Sequence, residues 1–99
     1  MTRKGLKNKS NNLWRHIVYE DFDHKCAVCG VETHGAHHII GKNNWRLRFE
    51  PMNGINLCPS HHTYDSKFSA HLTGTLFGEW LRDKYPERDK FTKDHVNET

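Results

Sequence analysis

Two pairs of metal-binding residues share one spacing in this chain of 99 residues. Two residues separate Cys26 from Cys29, and two separate Cys58 from His61. This separation lets a tight turn direct both side chains of a pair at one ion, and two such pairs supply the four ligands of a tetrahedral structural zinc site. Gly30 relieves the backbone after the first pair. We therefore predict a bound Zn²⁺ in preference to three unrelated buried cysteines.

Histidines outside this quartet are candidates for a second site. The chain has nine histidines, of which six lie between positions 34 and 71, close to the cysteines at 26, 29 and 58. His37 and His38 are adjacent in a segment with strand character, so one can bind a metal while the other faces a substrate. On a helix, His62 points about 100° away from its neighbour His61 and cannot easily serve the same zinc. The remaining four are interpreted as surface or hydrogen-bonded residues: His16, His24, His34 and His95.

Short secondary-structure elements must position these side chains. Apolar residues at helical spacing predict the first and last helices, and β-branched residues predict the strands. Pro59 begins a helix and Pro86 ends one. The predicted order is a helix over about 10–23, a strand over 36–40, a loop over 41–53, a strand over 54–57, a helix over about 59–68 and a helix over 76–85. We divide the chain into a flexible basic arm over 1–12, a domain over 13–85 and a polar tail over 86–99.

Composition limits the class of protein. Hydrophobic residues are 34% of the chain, charged residues are 27%, and the mean hydropathy is −0.92, so a core this small favours a metal as a staple. No apolar run of about 18 residues predicts a membrane span. The odd number of cysteines argues against a disulfide framework, and the basic N-terminus lacks the apolar region of a secretory signal. We expect a cytoplasmic protein whose basic lead is compatible with nucleic acid or with a solvated tail.

Two interlocking strings carry a resemblance to a known family. The zinc-ligand pairs bracket Ala36-His37-His38-Ile39-Ile40-Gly41, and Asn53-Gly54 precedes the second pair. In this order the chain resembles the HNH endonucleases of the His-Me finger superfamily, particularly the small zinc-knuckle proteins of phages and prophages. The resemblance covers residues 26–71, about half the chain. It implies an α+β fold with a small ββα-metal core, a structural zinc site and flanking helices, so that 13–85 is the nuclease domain.

The resemblance implies catalytic roles for three residues that carry the family's name. His38 would be the general base that activates water. Asn53 would lie in the loop between the strands, hold that loop closed and help to orient the base. His62 would be a ligand of a catalytic divalent cation, and His37 would be another.

The third cation ligand is less direct. Some family members place a histidine one helical turn after the position of His62, where this chain has Ser66. A small insertion would deliver His71, and Asp65 is the alternative. The cation would be Mn²⁺, Co²⁺, Ni²⁺ or Mg²⁺. A second departure is His61, where many relatives have a fourth cysteine.

The expected substrate is double-stranded DNA, nicked with low sequence specificity. Backbone phosphates would be contacted by basic residues whose alternative interpretation is ordinary surface charge. One site per chain cuts one strand, so a monomer or weak dimer should nick. The resemblance places the protein in the cytosol of a bacterium or of a phage-infected host. The candidate DNA-binding residues are Lys42, Arg46, Arg48 and Lys67.

Two other functions remain open from the sequence. The chain could be a non-catalytic zinc-knuckle module that binds nucleic acid or protein without cutting it. His37 and His38 discriminate, because a purely structural knuckle requires neither. It could also be a toxin-like or RNA-directed nuclease with the same chemistry and a different target.

Overall fold

The computed structural model describes residues 2–98, which form three helices around a two-stranded sheet. The strands pair antiparallel, with His37 opposite Ile55 and His38 opposite Gly54. The predicted α+β class is confirmed, although both strands are shorter than expected. In chain order the elements are α1 (Arg3–Asp21), β1 (Ala36–His38), a 3₁₀ turn (Pro51–Asn53), β2 (Gly54–Asn56), a wide helical turn (Ser60–Tyr64), α2 (Gly74–Lys84) and α3 (Pro86–His95).

Helix α1 begins much earlier than the sequence analysis predicted. The segment expected to be a flexible arm over 1–12 is helical from Arg3 onward. Thr2 caps this helix, because its hydroxyl oxygen accepts a hydrogen bond from the Gly5 amide at 2.9 Å. The arginine, lysines and leucine that follow are good helix formers, which outweigh the single glycine. Trp14 and Val18 are the buried residues that attach the helix to the sheet.

Most of the predicted polar tail is helical, over Pro86–His95. Pro86 ends α2 and takes the first position of α3, where its missing N–H costs nothing. Thr92 is buried. Arg88 donates a hydrogen bond to the Gly54 carbonyl at 3.0 Å and pairs with Asp21 at 3.2 Å. Side-chain contacts to β2 and α1 therefore hold a segment whose composition alone suggested a loose tail.

The core lies where β2, the zinc-ligand loops and α2 meet. Cys26 and Cys58 belong to this buried cluster, together with Ile55, Leu57 and Phe77. Partly buried aromatic side chains surround it, including Phe22, Phe68, Trp80 and Tyr85. Two residues of the predicted zinc quartet are thus part of the core, so the integrity of the quartet and the packing of the domain depend on each other.

Gly54 allows α1 to approach the sheet closely. A Cβ atom at this position would collide with Val18 and would come within 3.0 Å of the Trp14 ring. The N-terminal helix therefore rests directly on the β2 backbone, and it does so at the residue paired with His38.

We expect Gly54→Ala to destabilise the zinc-loaded protein by about 1–3 kcal/mol, the usual cost of overpacking a core. Gly78→Ala is the matched control, because a Cβ there meets nothing within 4 Å and alanine favours the interior of α2. It should stabilise by about 0.5–1 kcal/mol. Thermal melts followed by circular dichroism compare the two. Equal melting temperatures for Gly54→Ala and wild type would contradict the close approach.

Among residues 2–98, no helix has both the length and the apolar character needed to cross a lipid bilayer. The longest helix, α1, carries basic residues along its N-terminal half.

Candidate metal centres and the His38 site

The first pair of zinc ligands lies in a tight turn after α1. The Gly30 amide donates to the Cys26 carbonyl at 2.9 Å, and the Cys26 amide donates to the Val31 carbonyl at 2.8 Å. Gly30 has a φ of 77°, the left-handed conformation that glycine adopts without strain. The prediction that Gly30 relieves the backbone here is confirmed. The second pair is on the other side of the site, where Cys58 leads into the helical turn that carries His61.

The four predicted zinc ligands converge. Their ligand atoms all lie within 4.8 Å of one another. The sulfur atoms of Cys29 and Cys58 are 3.8 Å apart, and Nδ1 of His61 is 3.3 Å from the Cys58 sulfur and 3.8 Å from that of Cys26. Tetrahedral ligands about 2.3 Å from a zinc ion place two sulfurs about 3.8 Å apart. The three cysteines are free thiols, so the quartet can hold a structural metal ion, and its chemistry suits zinc.

The surroundings of the quartet favour the thiolate of Cys26 and disfavour that of Cys29. Burial raises the pKa of Cys26, but hydrogen bonds with the backbones of Cys58, Cys29 and Val28 outweigh it and lower the pKa to about 7. Burial raises the pKa of Cys29, as do hydrogen bonds with the Cys26 and Cys58 sulfurs. A bound cation removes the repulsion among these sulfurs.

Asn56, which is not among the predicted site residues, holds the loop of the first zinc pair through hydrogen bonds to its backbone. Its side chain is fully buried. The side-chain oxygen accepts from the Gly35 amide at 2.9 Å, and the amide nitrogen donates to the carbonyls of Lys25 and Thr33 at 3.1 and 3.0 Å. A polar residue between apolar neighbours in β2 is the only sequence signal for this role.

A second cluster consists of three histidines. Nδ1 of His37 lies 3.0 Å from Nε2 of His62, and the same His62 nitrogen lies 3.1 Å from Nε2 of His71. The three nitrogens are also within 4.8 Å of one another. The chain therefore brings together the three residues that the resemblance named as cation ligands.

Hydrogen bonding alone does not satisfy this cluster. Nε2 of His62 has either one proton or one lone pair, and it faces a ring nitrogen on each side. Ligands at right angles around a metal about 2.1 Å away lie about 3.0 Å apart, which matches both distances. A divalent cation bound by three neutral imidazoles fits the arrangement.

Burial and mutual repulsion keep the imidazoles of His37 and His62 neutral. Burial, followed by repulsion from His62 and His71, lowers the pKa of His37 to about 4. Burial and then repulsion from His71 lower the pKa of His62 below its ordinary value. Neutral rings retain the lone pairs that a metal requires at physiological pH.

His71 reaches the cluster because the chain folds back after the helical turn. The His71 amide donates to the His62 carbonyl at 3.1 Å, and the Ala70 amide donates to the His61 carbonyl at 2.8 Å. Asp65, the alternative ligand, faces elsewhere. One of its oxygens accepts from the Lys67 amide at 2.8 Å, and the other lies 3.9 Å from Nε2 of His61. Of the two alternatives, the structure brings His71 to the cluster and Asp65 beside a zinc ligand.

His38 lies on the other face of β1 from His37, as the strand periodicity predicted. Its ring stacks on Trp14 with centroids 3.9 Å apart and planes 6° from parallel. Its Nε2–H donates to the Arg48 carbonyl at 2.9 Å. Since a carbonyl can only accept, the neutral ring carries its lone pair on Nδ1. Burial lowers the pKa of His38, and the hydrogen bond with the Arg48 carbonyl opposes this effect. Repulsion from nearby cations lowers the pKa further, so that the net shift is downward.

The His38 contacts show two residues that sequence reasoning missed in this role. Trp14 is one of the apolar residues at helical spacing in the first helix. No feature of the sequence indicates that its ring would stack on an imidazole. Its indole N–H donates to the Glu50 carbonyl at 2.8 Å, which fixes the plane of the stack. The Arg48 contact uses a backbone atom, which no residue pattern reveals.

Asn53 is fully buried and closes the loop between the strands. Its side-chain oxygen accepts from the Ile40 amide at 2.7 Å, and its amide nitrogen donates to the Ile40 and Leu47 carbonyls at 3.0 Å each. The loop-holding role expected for Asn53 is consistent with these bonds. Asn53 is therefore a positioning residue. It holds the Leu47 carbonyl, and the carbonyl of the following residue, Arg48, orients the His38 ring.

The four candidate DNA-binding residues differ in exposure. Lys42 and Lys67 are exposed. Arg46 pairs with Glu98 at 2.9 Å. Arg48 does not have the free position expected of a phosphate contact. Arg48 is buried, and its guanidinium donates to the Lys42 carbonyl at 2.9 Å. The same guanidinium packs beside the rings of Trp45 and Phe49.

No known protein family, curated protein or solved structure matches this chain. Any function has to be inferred from the chain's own residues. The described residues provide two clusters that could each hold a metal ion and one oriented histidine, and His37 of the second cluster and His38 lie on opposite faces of one strand.

Proposed function

We propose that this chain is a metal-dependent endonuclease of the HNH type that nicks double-stranded DNA with low sequence specificity in the cytoplasm of a bacterium or phage-infected host. The observation that carries the proposal is the pair on β1. His37 joins a cluster of three imidazoles, and its neighbour His38 has a single hydrogen-bonded orientation on the opposite face. The free thiols of the zinc quartet suit a reducing compartment.

His38 is the general base. Its Nε2–H is engaged by a backbone carbonyl, so Nδ1 is the atom that takes a proton from water. The water oxygen forms a bond to phosphorus, the bond from phosphorus to the 3′ oxygen breaks, and the water proton goes to Nδ1. The departing 3′ oxygen takes a proton from solvent water, and Nδ1 later releases its proton to solvent, so the products are a 5′-phosphate and a 3′-hydroxyl. Stacking on Trp14 limits rotation of the ring and keeps Nδ1 in one direction.

His37, His62 and His71 would hold the catalytic cation. When bound, a divalent cation supplies positive charge to the phosphate and to the departing oxygen. The chain contributes three ring nitrogens, one from β1 and two from residues 62–71, and the fold-back at Ala70 and His71 holds His71 beside His62. The two strands and the helical turn Ser60–Tyr64 would then form the ββα-metal core of the family.

A non-catalytic zinc module is the second candidate function. The Cys26, Cys29, Cys58 and His61 quartet alone supports it. It leaves the three-histidine cluster and the oriented His38 without a purpose, because the quartet and the core already stabilise the domain. We therefore favour the nuclease.

The test is incubation of supercoiled plasmid with zinc-loaded protein and Mn²⁺. The nuclease proposal expects conversion to the open-circular form, and EDTA should stop it. Because EDTA also strips zinc, circular dichroism in the same buffer separates loss of the catalytic cation from unfolding. A plasmid that stays supercoiled with every cation would leave the binding module as the better proposal.

The all-histidine cluster predicts the order of cations. Imidazole binds later transition metals more tightly, whereas Mg²⁺ prefers carboxylate oxygens and retains its waters. At equal low concentrations, nicking should be faster with Mn²⁺, Co²⁺ or Ni²⁺ than with Mg²⁺. A plasmid-nicking titration measures this order, and tightly bound Zn²⁺ or Cu²⁺ should inhibit. Equal or better activity with Mg²⁺ would contradict a site made only of imidazoles.

A further inference from the structure

A groove that the catalytic chemistry does not use runs between the N-terminal half of α1 and the loop that holds Trp45 and Phe49. Its volume is about 860 Å³. One wall is helical and mostly basic, and the other is aromatic. The lining residues are Arg3, Lys4, Leu6, Lys7, Ser10, Trp45 and Phe49.

The groove is positively charged. Three of its lining residues are basic and none is acidic, and the first acidic residue in the chain is Glu20. Nζ of Lys7 lies 5.7 Å from the centre of the Trp45 ring, and the Arg48 guanidinium lies 5.2 Å from it. Because Arg48 is buried, a ligand in contact with Trp45 meets the Lys7 ammonium, which favours an anion with a flat apolar part.

Trp45 is available for stacking. Its side chain is 61% exposed, and its ring meets Phe49 edge-on, with centroids 6.1 Å apart and planes at 67°. The edge contact supports the indole from the side, and a base that stacks on the exposed ring must displace the Lys7 ammonium, which lies over it at 5.7 Å. Leu6, which is 58% exposed, adds apolar surface on the helical wall.

The groove leads towards His38. Arg3, Lys7, Ser10 and Trp14 recur at intervals of four, three and four residues, so they lie on one face of α1. Trp14 stacks on His38. The distance from Arg3 to Trp14 along the helix is about 16 Å, roughly the length of five nucleotide steps in one strand of a duplex. A strand that follows this face passes the basic residues before it reaches the proposed base.

We propose that this groove binds an unpaired segment of single-stranded DNA next to the phosphate that is cut, with one base stacked on Trp45. A cationic groove with an exposed aromatic ring is the arrangement that binds single strands, because phosphates follow the charges and every base has a flat face. Bases inside an intact duplex are already stacked and cannot use Trp45. The position beside the cut rests on the proposed nuclease function. The preferred substrates are then strands with an unpaired segment, such as flaps and single-strand–duplex junctions.

Fluorescence anisotropy tests the groove without any cleavage. The probes are a fluorescein-labelled single strand of about 12 nucleotides and the same strand in a blunt duplex, with zinc-loaded protein and no added cation. Trp45→Leu should weaken single-strand binding by about 5- to 100-fold, the loss expected for one base–aromatic stack. Trp45→Phe keeps an aromatic face and should retain most of the affinity. Neither change should alter duplex binding.

The basic wall has its own matched pair. Lys7→Gln should lower the slope of log affinity against log salt by about 0.7 for the phosphate contact it removes. Lys84→Gln removes the same charge from an exposed position at the end of α2, outside the groove, and should leave the slope unchanged. Wild-type single-strand affinity in Trp45→Leu, or an equal loss for single strand and duplex, would overturn the proposal.

Failure of the groove and failure of the nuclease are distinguishable. Trp45-dependent binding without any nicking would support the groove as a single-strand site and reject the proposed function. Normal nicking, together with a single-strand affinity that does not change in the Trp45 and Lys7 variants, would reject the groove proposal alone.

Discussion

His38→Ala should slow the nicking of supercoiled plasmid by about 10²- to 10⁴-fold, the usual cost of removing a general base. The Arg48 carbonyl fixes the orientation of the His38 ring and therefore of its Nδ1 lone pair. No neighbouring imidazole can replace this lone pair, because His37 points to the opposite face with the cation cluster. Zinc content and DNA affinity should remain at wild-type levels, because His38 belongs to neither metal cluster. The measurement is the initial nicking rate with saturating Mn²⁺.

His16→Ala is the matched control for this experiment. His16 is an exposed histidine on α1 whose contact with Glu20 is long, at 3.9 Å, so its loss should leave the rate unchanged. His38→Gln keeps a polar side chain but has no basic ring nitrogen, and it should be as slow as His38→Ala. A wild-type rate in either His38 variant would reject His38 as the base.

Cys58→Ser should abolish the cooperative thermal transition of the domain. Structural zinc contributes about 10–16 kcal/mol of apparent binding free energy in small zinc domains, which equals or exceeds the whole stability of most domains. Cys58 is a buried member of the core, and its sulfur lies close to both Cys29 and His61. The measurement is zinc content by elemental analysis together with a circular dichroism melt. Cys26→Ser should behave in the same way.

His61→Cys and His61→Ala separate ligand chemistry from side-chain loss. The cysteine variant keeps four ligands and should retain stoichiometric zinc, whereas the alanine variant should lose zinc affinity and melt at a lower temperature. Ser60→Ala, at the exposed neighbouring position, should change neither quantity. If a chelator removed stoichiometric zinc and the melt did not move, the site would not be structural.

The ligand pairs could be predicted from the sequence because their geometry is local. Two residues between ligands define a turn whatever surrounds it, and adjacent strand residues point to opposite faces by the geometry of the backbone. Cys26, Cys29, Cys58 and His61 therefore assemble as predicted, and His37 and His38 separate as predicted. The α+β class was implied by the family resemblance, and the predicted order of helices and strands agrees with it.

Tertiary contacts decided the parts of the site that depend on distant segments. His71 joins His37 only because the chain folds back on the helical turn, and its spacing from His62 does not encode that path. The contacts of His38 come from a helix and from a loop carbonyl, both far from it in sequence. Arg48 resembles a surface charge in the sequence, yet the loop buries it.

The two ends of the chain show the same division. Composition suggested a flexible arm and a loose tail, because polar residues without a strong apolar pattern carry little local signal. A threonine cap and the approach of α1 to Gly54 order the first, and hydrogen bonds of Arg88 to β2 and Asp21 order the second. Local spacing thus determined which residues are candidate metal ligands, and long-range packing determined how His38, His71 and the basic groove are arranged around them. The reason is that backbone geometry constrains only neighbours in sequence, whereas burial and hydrogen bonding act between whichever segments the fold brings into contact.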